Sequence, residues 1–255
     1  MMNDVLTARR FTGTRTLYGD GFEKFVNAHV YVIGVGGVGS WVAEGLARTG
    51  VGWITLVDLD VLVESNINRQ LPALDSTLGE SKIEAMATRL RQINPNLELN
   101  VVDDFLTADN VQQILPSKEE VVDLADQGKN VIVLDCVDDM NAKLALVLHC
   151  RFNKIKLIVS GGAGGKIDPT QTKVADLKDV TQDPLLAKLR NKLKEKNISQ
   201  SKGKFGIKCV YSTEQLKMAT ACESGLNCGG YGSAVAVTSV VGMVMVSECL
   251  RLIAK

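Results

Sequence analysis

A glycine-rich turn directly follows an apolar, β-branched segment near the start of the chain. Its four glycines, Gly34, Gly36, Gly37 and Gly39, let the backbone approach a phosphate closely, and the helix predicted to begin there supplies free N–H groups. Asp58 ends the next predicted strand about 20 residues further on, where a carboxylate can bind the hydroxyl groups of a ribose. This spacing predicts a mononucleotide or dinucleotide site, and the turn alone is compatible with both NAD and ATP.

Cationic and amide side chains follow Asp58 within a short interval: Asn66, Arg69, Gln70 and Lys82. A dehydrogenase has little use for them, because the glycine turn already binds a pyrophosphate. A triphosphate undergoing displacement needs such donors, because negative charge accumulates on the leaving pyrophosphate. The set therefore favours ATP over NAD, although Arg69 taken singly could be a surface ion-pair partner.

Carboxylates cluster at the end of a later predicted strand, in the order Asp135, Asp138 and Asp139. Mg²⁺ prefers one or two carboxylate oxygens together with phosphate and water. The cluster therefore predicts a magnesium site beside the nucleotide. The alternative for Asp138 is a structural role as the N-cap of the following helix.

The chain has six cysteines and two histidines. No two cysteines have the close spacing of a structural zinc site, so no zinc is expected. Most of the thiols are predicted to be reduced and buried. Cys228, which precedes two glycines, is a candidate nucleophile, and the alternative is a cysteine that packs ahead of a buried helix.

Strands and helices alternate along the first part of the chain. Apolar β-branched runs predict strands, and apolar residues at helical spacing predict helices. The predicted strands are 29–34, 53–58, 131–135 and 157–160, and the predicted helices are 40–49, 81–93 and 141–152. This alternation predicts an α/β fold, Rossmann-like, with a mostly parallel sheet, helices on both faces and a core spanning 10–165.

We expect the chain to form a single domain over 1–255. The part that follows the core contains a basic insertion at about 180–210. Residues 188–208 contain eight basic residues and one acidic residue, a local charge of +7. A solvated helix face is one interpretation of this charge. An uncharged segment then predicts a C-terminal helix at about 232–254, buried on the sheet, with a membrane span as the alternative.

Composition narrows the classes of protein further. Lysine plus arginine (29) balances aspartate plus glutamate (29), so no net field draws the whole molecule onto nucleic acid or membrane. A hydrophobic fraction of 45% with only five prolines excludes a disordered chain. The first 30 residues contain no continuous apolar region, so we expect a cytoplasmic protein without a secretory signal.

Together the motifs resemble a known family. The ubiquitin-activating-like adenylating superfamily has, in the same order, sequences similar to GVGGVG, LVDLD, NINRQ, LGESK and DCVDD. Within it, the branch that dehydrates threonylcarbamoyladenosine in tRNA has segments similar to RRFTGTRTLYGDG, SGGAGGKIDPTQ, VTQDPLLAKLR, SKGKFGIKCVYSTE and NCGGYGSA. The absence of paired Cys-x-x-Cys sequences separates the chain from typical activators of carrier proteins.

This resemblance implies a role for each candidate residue. Gly37 would line the nucleotide, Asp58 would bind ribose, and Asp138 would hold Mg²⁺. Phosphates would be contacted by Asn66, Arg69, Gln70 and Lys82. Arg15 would reach into the site of the partner subunit, which implies a homodimer.

The resemblance also implies substrates and partners. The reaction would be the ATP-dependent cyclisation of threonylcarbamoyladenosine beside the anticodon, through an acyl-adenylate. The basic segment would then bind the tRNA backbone, with candidate contacts at Lys188, Lys192, Lys194, Lys202 and Lys204. A sulfur-acceptor protein or a cysteine desulfurase system is a further candidate partner.

Two other classes of function stay open at this point. An activator of a small sulfur-carrier or ubiquitin-like protein would use the same nucleotide site with a different acceptor. A nucleotide-binding redox protein is favoured only by the glycine turn and Asp58. Release of pyrophosphate from ATP, and its dependence on tRNA or on a carrier protein, separates the three.

Overall fold

One mixed sheet organises the protein. The computed structural model describes residues 8–198, 204–217 and 231–255. Within these residues seven strands form a single sheet, in the spatial order β3-β2-β1-β4-β5-β7-β6. The strands are β1 (Ala28–Ile33), β2 (Trp53–Val57), β3 (Glu98–Val102), β4 (Asn130–Asp135), β5 (Lys156–Ser160), β6 (Thr172–Asp176) and β7 (Lys208–Ser212).

Helices connect the strands and cover the sheet. In the described part of the chain they are α1 (Thr12–Tyr18), α2 (Gly21–Val26), α3 (Gly39–Arg48), α4 (Lys82–Ile93), α5 (Val111–Ile114), α6 (Lys118–Asp126), α7 (Met140–Phe152), α8 (Pro184–Glu195) and α9 (Val235–Ile253). Helix α8 begins at Pro184, because proline is favoured in the first turn of a helix and the Asp183 carboxylate accepts the N–H of Leu186 at 2.9 Å.

The register of the parallel strands places their carboxyl ends at one edge. Ile33 lies beside Val57 on one side and beside Asp135 on the other. Strand β5 continues this alignment, and β7 pairs with it in parallel. The residues that follow β1, β2, β4 and β5 therefore meet at the same edge of the sheet, where open α/β sheets bind ligands.

Apolar residues cover both faces of the sheet, as the continuous β-branched runs predict. On one face α3, α4 and α9 pack through side chains that include Leu46, Met86 and Met245. On the other face α7 and α8 pack through side chains that include Leu146 and Leu189. The predicted Rossmann-like α/β class, with helices on both faces, is confirmed.

The C-terminal helix belongs to this core. Helix α9 is long and apolar enough to cross a membrane by length and composition, with a mean hydropathy of 1.7, and 56% of that segment is buried inside the structure. Val237, Val241 and Cys249 are among its buried residues and lie in the same cluster as α3 and α4. The predicted buried C-terminal helix is confirmed, with slightly shorter bounds.

Three of the observed strands are not predicted from the sequence. Strand β3 is half-exposed at one edge and lacks a clear apolar run. At the other edge β6 and β7 pair antiparallel, and β7 lies between β5 and β6. The end of the predicted basic insertion, from Lys208 onward, is therefore part of the sheet.

Candidate active site

A cleft of about 930 Å³ opens at the carboxyl edge of the sheet. One half lies over β1 and β2 and includes the glycine turn, Asp58 and Lys82. The other half lies over β5 and includes the second glycine turn at 161–164, together with Asp183 and Tyr231. Asp138 follows β4, between the two halves. The cleft thus joins two potential binding regions.

The glycines of the first turn have different roles. Gly34, Gly36 and Gly37 line the cleft, and Gly34 has a φ of +86°, which favours glycine. A Cβ at Gly39 would lie 1.8 Å from the carbonyl oxygen of Gly34. Gly39 therefore permits close packing of α3 against the turn, and it does not line the cleft. Of the three that line the cleft, Gly36 has the most open space, since the nearest atom to an added Cβ would be Gln70 Nε2 at 3.9 Å.

Asp58 organises this turn. Its Oδ2 accepts the N–H of Val35 at 2.6 Å, and its Oδ1 accepts the N–H of Asp60 at 2.9 Å. The residue is 9% exposed and lines the cleft. The carboxylate predicted to bind ribose thus also holds the glycine turn in place, a role that the motif alone does not reveal.

The amide and arginine side chains after β2 reach the same half of the cleft. Arg69 donates from Nη1 to the carbonyl of Ser65 at 2.8 Å and to Oδ1 of Asn68 at 2.9 Å. Its side chain lies against Gly37, where an added Cβ would come within 3.2 Å of Arg69 Cγ. Gln70 is buried beside Gly36, and its Oε1 has no hydrogen-bond partner among the described residues.

Asn66 has a more local role, although it also lines the cleft. It is buried, and its Oδ1 accepts the N–H of Val63 at 3.3 Å, which closes the short 3₁₀ turn Glu64–Asn66. It therefore supports the segment that presents Arg69.

Lys82 begins α4 with its side chain buried and its ammonium group at the cleft. Nζ donates to Oδ2 of Asp60 at 2.7 Å. The two side chains are 8% and 53% exposed, respectively, and both residues line the cleft. Asp60 ends the LVDLD motif, but its pairing with Lys82 is not evident from the sequence. Asp60 holds the ammonium group at the side of the cleft half that lies over β1 and β2.

The carboxylates after β4 divide into structural and available groups. Asp139 caps α7, since its Oδ1 accepts the N–H of Asn141 at 2.9 Å and that of Ala142 at 2.8 Å. Asp138 is exposed to the cleft and makes no hydrogen bond or ion pair to any described residue. The N-cap role considered for Asp138 thus belongs to its neighbour, which leaves Asp138 available for a ligand.

A fully buried ion pair lies beneath the cleft. Lys143 Nζ donates to Oδ2 of Asp135 at 2.9 Å and to the carbonyl of Ser160 at 3.1 Å, and both charged side chains are 0% exposed. Burial raises the pKa of the Asp135 carboxyl, while the nearby ammonium opposes that rise. The pair ties the ends of β4 and β5 to α7. Lys143 is not evident from the sequence, because nothing in its local pattern distinguishes it from a surface lysine.

The second half of the cleft is built around Asp183. Its Oδ2 accepts the N–H of Gly162 at 2.9 Å, while its Oδ1 caps α8. Burial raises the pKa of Asp183, although these backbone hydrogen bonds, Lys143 and Lys166 oppose the rise. Asp183 thereby attaches the second glycine turn to the start of α8.

The cysteines of the described ranges do not supply a nucleophile. Cys136 lines the cleft, but burial raises the pKa of its thiol, so it stays protonated. Cys228, like Lys202, lies outside the described residues. Within the described part of the chain, no group of three or more His, Cys, Asp or Glu residues could hold a metal ion.

The other candidate residues lie away from the cleft lining. Arg15 is on α1, where its guanidinium reaches Thr12 Oγ1 at 3.5 Å. Lys188 and Lys194 are exposed on α8, Lys192 is half-buried, and Lys204 is exposed just before β7.

Comparisons with known proteins match this architecture. The family model of ThiF proteins matches residues 9–255. The chain belongs to the ThiF family. It is 45% identical to the tRNA threonylcarbamoyladenosine dehydratase of Escherichia coli (strain K12), over 95% of this chain and 92% of the relative. It is 42% identical to the protein of the same name from Haemophilus influenzae, with the same shares covered.

A solved structure agrees with this ThiF-family assignment. The crystal structure of the E. coli tRNA N6-threonylcarbamoyladenosine dehydratase TcdA in complex with ATP has a TM-score of 0.84 to this chain, at 46% identity. The match covers 96% of this chain and 93% of that one. The resemblance predicted from the motifs is therefore confirmed.

Proposed function

We propose that this chain is an ATP-dependent tRNA threonylcarbamoyladenosine dehydratase. It would adenylate the carboxylate of threonylcarbamoyladenosine beside the anticodon and cyclise it, with release of AMP and pyrophosphate. One observation supports the proposal: a single cleft joins two halves, in a chain that aligns with relatives of that name over 95% of its length. We assign the half over β1 and β2 to ATP and call it the nucleotide half, and we assign the half over β5 to the modified adenosine and call it the acceptor half.

The nucleotide half fits ATP. The glycine turn offers backbone N–H groups, and Arg69 and Lys82 supply positive charge on one side of it. Gln70 leaves a buried amide oxygen without a partner in the described chain, as expected of a group that a ligand or a water satisfies. Asp58, at the end of β2, lies where a ribose is bound in such folds.

The available carboxylate fits Mg²⁺ bound together with phosphate. Mg²⁺ takes one or two protein carboxylates and completes its shell with phosphate oxygens and water, so a single free Asp138 is an adequate donor. When bound, the ion would neutralise charge that develops on the phosphates.

The chain's residues would act mainly by positioning and by stabilising charge. An oxygen of the substrate carboxylate attacks the α-phosphorus of ATP, and pyrophosphate leaves. Arg69, Lys82 and Arg15 of the partner subunit would stabilise the negative charge that accumulates there. A nucleophilic atom of the carbamoyl group then attacks the activated carbonyl, loses its proton, and AMP leaves. This closure is intramolecular, so orientation supplies much of the acceleration and no protein nucleophile is required.

A homodimer completes this proposal. Large apolar side chains are exposed along the segment after β2: Leu59, Val61, Val63, Ile67, Leu74 and Leu78. An exposed apolar surface of this kind favours a protein partner, and a second copy of the chain would cover it. Arg15 does not line its own cleft, which is consistent with a role in the partner's site.

Mixing two inactive variants tests the role of Arg15. We expect Arg15→Ala and Arg69→Ala each to be nearly inactive as a homodimer. A mixed dimer would contain one intact site, so subunit exchange at equal amounts should restore about a quarter of wild-type turnover. Turnover after mixing measures this, with sedimentation confirming exchange into dimers. Mixed dimers without any recovery would show that Arg15 does not act in trans.

The lysines of α8 are well placed to bind a tRNA stem. Helix α8 starts at the cleft, where Pro184 and Leu185 line the acceptor half, and it extends about 18 Å away. Its leucines face the core, and Lys188 and Lys192 lie four residues apart on the more exposed side. An anticodon loop in the cleft would therefore bring the adjoining stem along this helix, with Lys194, Lys202 and Lys204 as further candidate contacts.

Charge reversal on α8 tests this surface. We expect Lys188→Glu to weaken tRNA binding and to lower the slope of log affinity against log salt by about 1, since one phosphate contact is lost. Lys118→Glu, an exposed lysine at the start of α6, changes the net charge equally and is the matched control. Filter binding over a range of salt concentrations measures both. Equal slopes for the two variants would place the tRNA contact elsewhere.

Three properties stay predictions from the sequence: a cytoplasmic location, a sulfur-acceptor or cysteine desulfurase partner, and a role for Cys228. Replacement of Cys228 by serine tests the last of these, because full turnover in Cys228→Ser would exclude a catalytic thiol.

One assay separates the proposed function from its alternative. Purified protein is incubated with ATP, Mg²⁺ and tRNA that bears threonylcarbamoyladenosine, and pyrophosphate release and the loss of one water from the nucleoside are measured. We expect both to require the modified tRNA. Pyrophosphate release that requires a small carrier protein would instead identify an adenylyltransferase for a sulfur-carrier or ubiquitin-like C-terminus.

A further inference from the structure

We propose that the ring of Tyr231 is the stacking platform for the purine base of the modified adenosine. This inference rests on the proposed function and assigns the acceptor half of the cleft to an unstacked RNA base. RNA loop bases are typically bound in this way, splayed out and stacked on an aromatic side chain.

The position of Tyr231 supports this role. It lines the cleft, and 46% of the residue is exposed despite its large apolar ring. Tyr231 packs on the second glycine turn, where a Cβ at Gly164 would lie 3.3 Å from Tyr231 Cβ and 3.6 Å from its carbonyl oxygen. The N–H of Gly165 donates to the carbonyl of Gly232 at 2.7 Å, which fixes the residue directly after Tyr231.

A second attachment brings Tyr231 close to the phosphate-binding residues. Asn68 Nδ2 donates to the carbonyl of Ser233 at 2.7 Å, and Asn68 Oδ1 accepts from Arg69. The segment that carries the ring is thus tied to the arginine that would contact phosphate. Only four bonds separate the carboxyl carbon of threonylcarbamoyladenosine from N6 of its base. A carboxylate placed at the α-phosphate would therefore bring its base into the region beside Arg69 that Tyr231 borders.

Among the described residues that line the cleft, two are exposed aromatic residues, and the proposed reaction brings two purines. Phe105, which follows β3, is 49% exposed at the opposite end of the cleft, on the side of Asp58. Four strand spacings, about 19 Å, separate the ends of β3 and β5 in the sheet order. Since Asp58 would bind the ribose of ATP, the adenine of ATP belongs to the Phe105 side. The base of the tRNA then belongs to the Tyr231 side.

The surroundings of Tyr231 also suit a base. Leu185 and Leu216 line the same half of the cleft and are half-buried, so they present partly exposed apolar surface. An aromatic ring with aliphatic neighbours binds a planar base through stacking and apolar contact, which leaves the base edge for hydrogen bonds.

Two substitutions test the stacking. Tyr231→Leu keeps an apolar side chain but removes the aromatic face, and we expect it to raise the KM for an anticodon stem-loop bearing threonylcarbamoyladenosine about 10- to 100-fold. Tyr231→Phe should restore the wild-type KM, because the ring and not the hydroxyl makes the contact. The Kd of ATP, measured by calorimetry without RNA, should be the same in all three proteins.

Each outcome is decisive. An unchanged KM in Tyr231→Leu, with an active wild-type enzyme, would overturn the inference and leave the proposed function intact. A Tyr231→Phe variant as weak as Tyr231→Leu would show that the hydroxyl acts, which also overturns stacking. A weaker Kd for ATP in Tyr231→Leu would place the ring on the nucleotide instead. A wild-type enzyme that leaves the modified RNA unchanged would overturn the proposed function and this inference together.

Discussion

Replacement of Arg69 by alanine is expected to lower turnover by about 10²- to 10³-fold. The aliphatic part of the Arg69 side chain lies against Gly37 at the cleft, where charge would accumulate on the phosphates during adenylation. Loss of one donor aimed at such charge costs about 2.7–4 kcal/mol of transition-state stabilisation. Pyrophosphate release and formation of the cyclised nucleoside, measured in the presence of the modified tRNA, report this loss.

Arg91→Ala is the matched control, since Arg91 is an exposed arginine on α4 that does not line the cleft. It should turn over at the wild-type rate. Because Arg69 also donates to the carbonyl of Ser65, thermal unfolding of both variants distinguishes lost chemistry from a disturbed turn. Wild-type turnover in Arg69→Ala would remove this residue from the mechanism.

Replacement of Lys143 by methionine is expected to produce the largest loss of stability among single substitutions near the cleft, about 3–5 kcal/mol in the free energy of unfolding. The change leaves the Asp135 carboxylate in a fully buried position without its cation. Denaturant unfolding at pH 7 measures the loss. We expect Lys143→Met/Asp135→Asn to recover much of it, because the double variant no longer buries an unpaired charge.

The pH dependence of this loss has a definite sign. Burial raises the pKa of Asp135, and without Lys143 nothing of comparable strength opposes that rise. Folded Asp135 would then bind a proton that the unfolded chain releases above its ordinary pKa near 3.9. The stability of Lys143→Met, relative to wild type, should therefore fall as pH rises above about 4. A loss independent of pH would show that Asp135 does not carry the unpaired charge.

Lys208→Met provides the comparison for this second prediction. Lys208 pairs with Glu248 at a partly exposed position, and Arg251 also pairs with Glu248, so the carboxylate keeps a partner. We expect a loss of about 1 kcal/mol or less. A similar loss in the two lysine variants would contradict the special cost of the buried pair.

Much of the nucleotide half could be predicted from local sequence. Three features occur in a fixed order: a glycine turn between strand and helix, a carboxylate after the next strand, and the Arg69–Gln70 pair. Each is recognisable from the residues that are close to it in the sequence. In the structure these residues line one cleft. Gly39 is the exception, since its close contact with the Gly34 carbonyl is visible only once the turn is folded.

The acceptor half depends on contacts between distant segments. Asp183 meets Gly162, and Asn68 meets Ser233, which lies 165 residues further along the chain. No local periodicity reports such pairs, so Tyr231 appeared in the sequence only as part of a motif. Edge strands β3 and β6 were not predicted for a different reason: half-exposed strands lack a continuous apolar run.

By itself, the sequence determined the α/β class, the parallel core, the glycine turn and the order of the side chains that we propose to contact phosphate. These properties follow from short-range patterns: glycine at a tight turn, β-branched runs in buried strands, and apolar spacing in helices. Tertiary structure alone decided that Asp139 caps α7 while Asp138 stays available, and that Lys143 is buried against Asp135. The physical reason is that hydrogen bonding and burial depend on which atoms meet in space, and two adjacent aspartates of equal intrinsic chemistry are distinguished only by those neighbours.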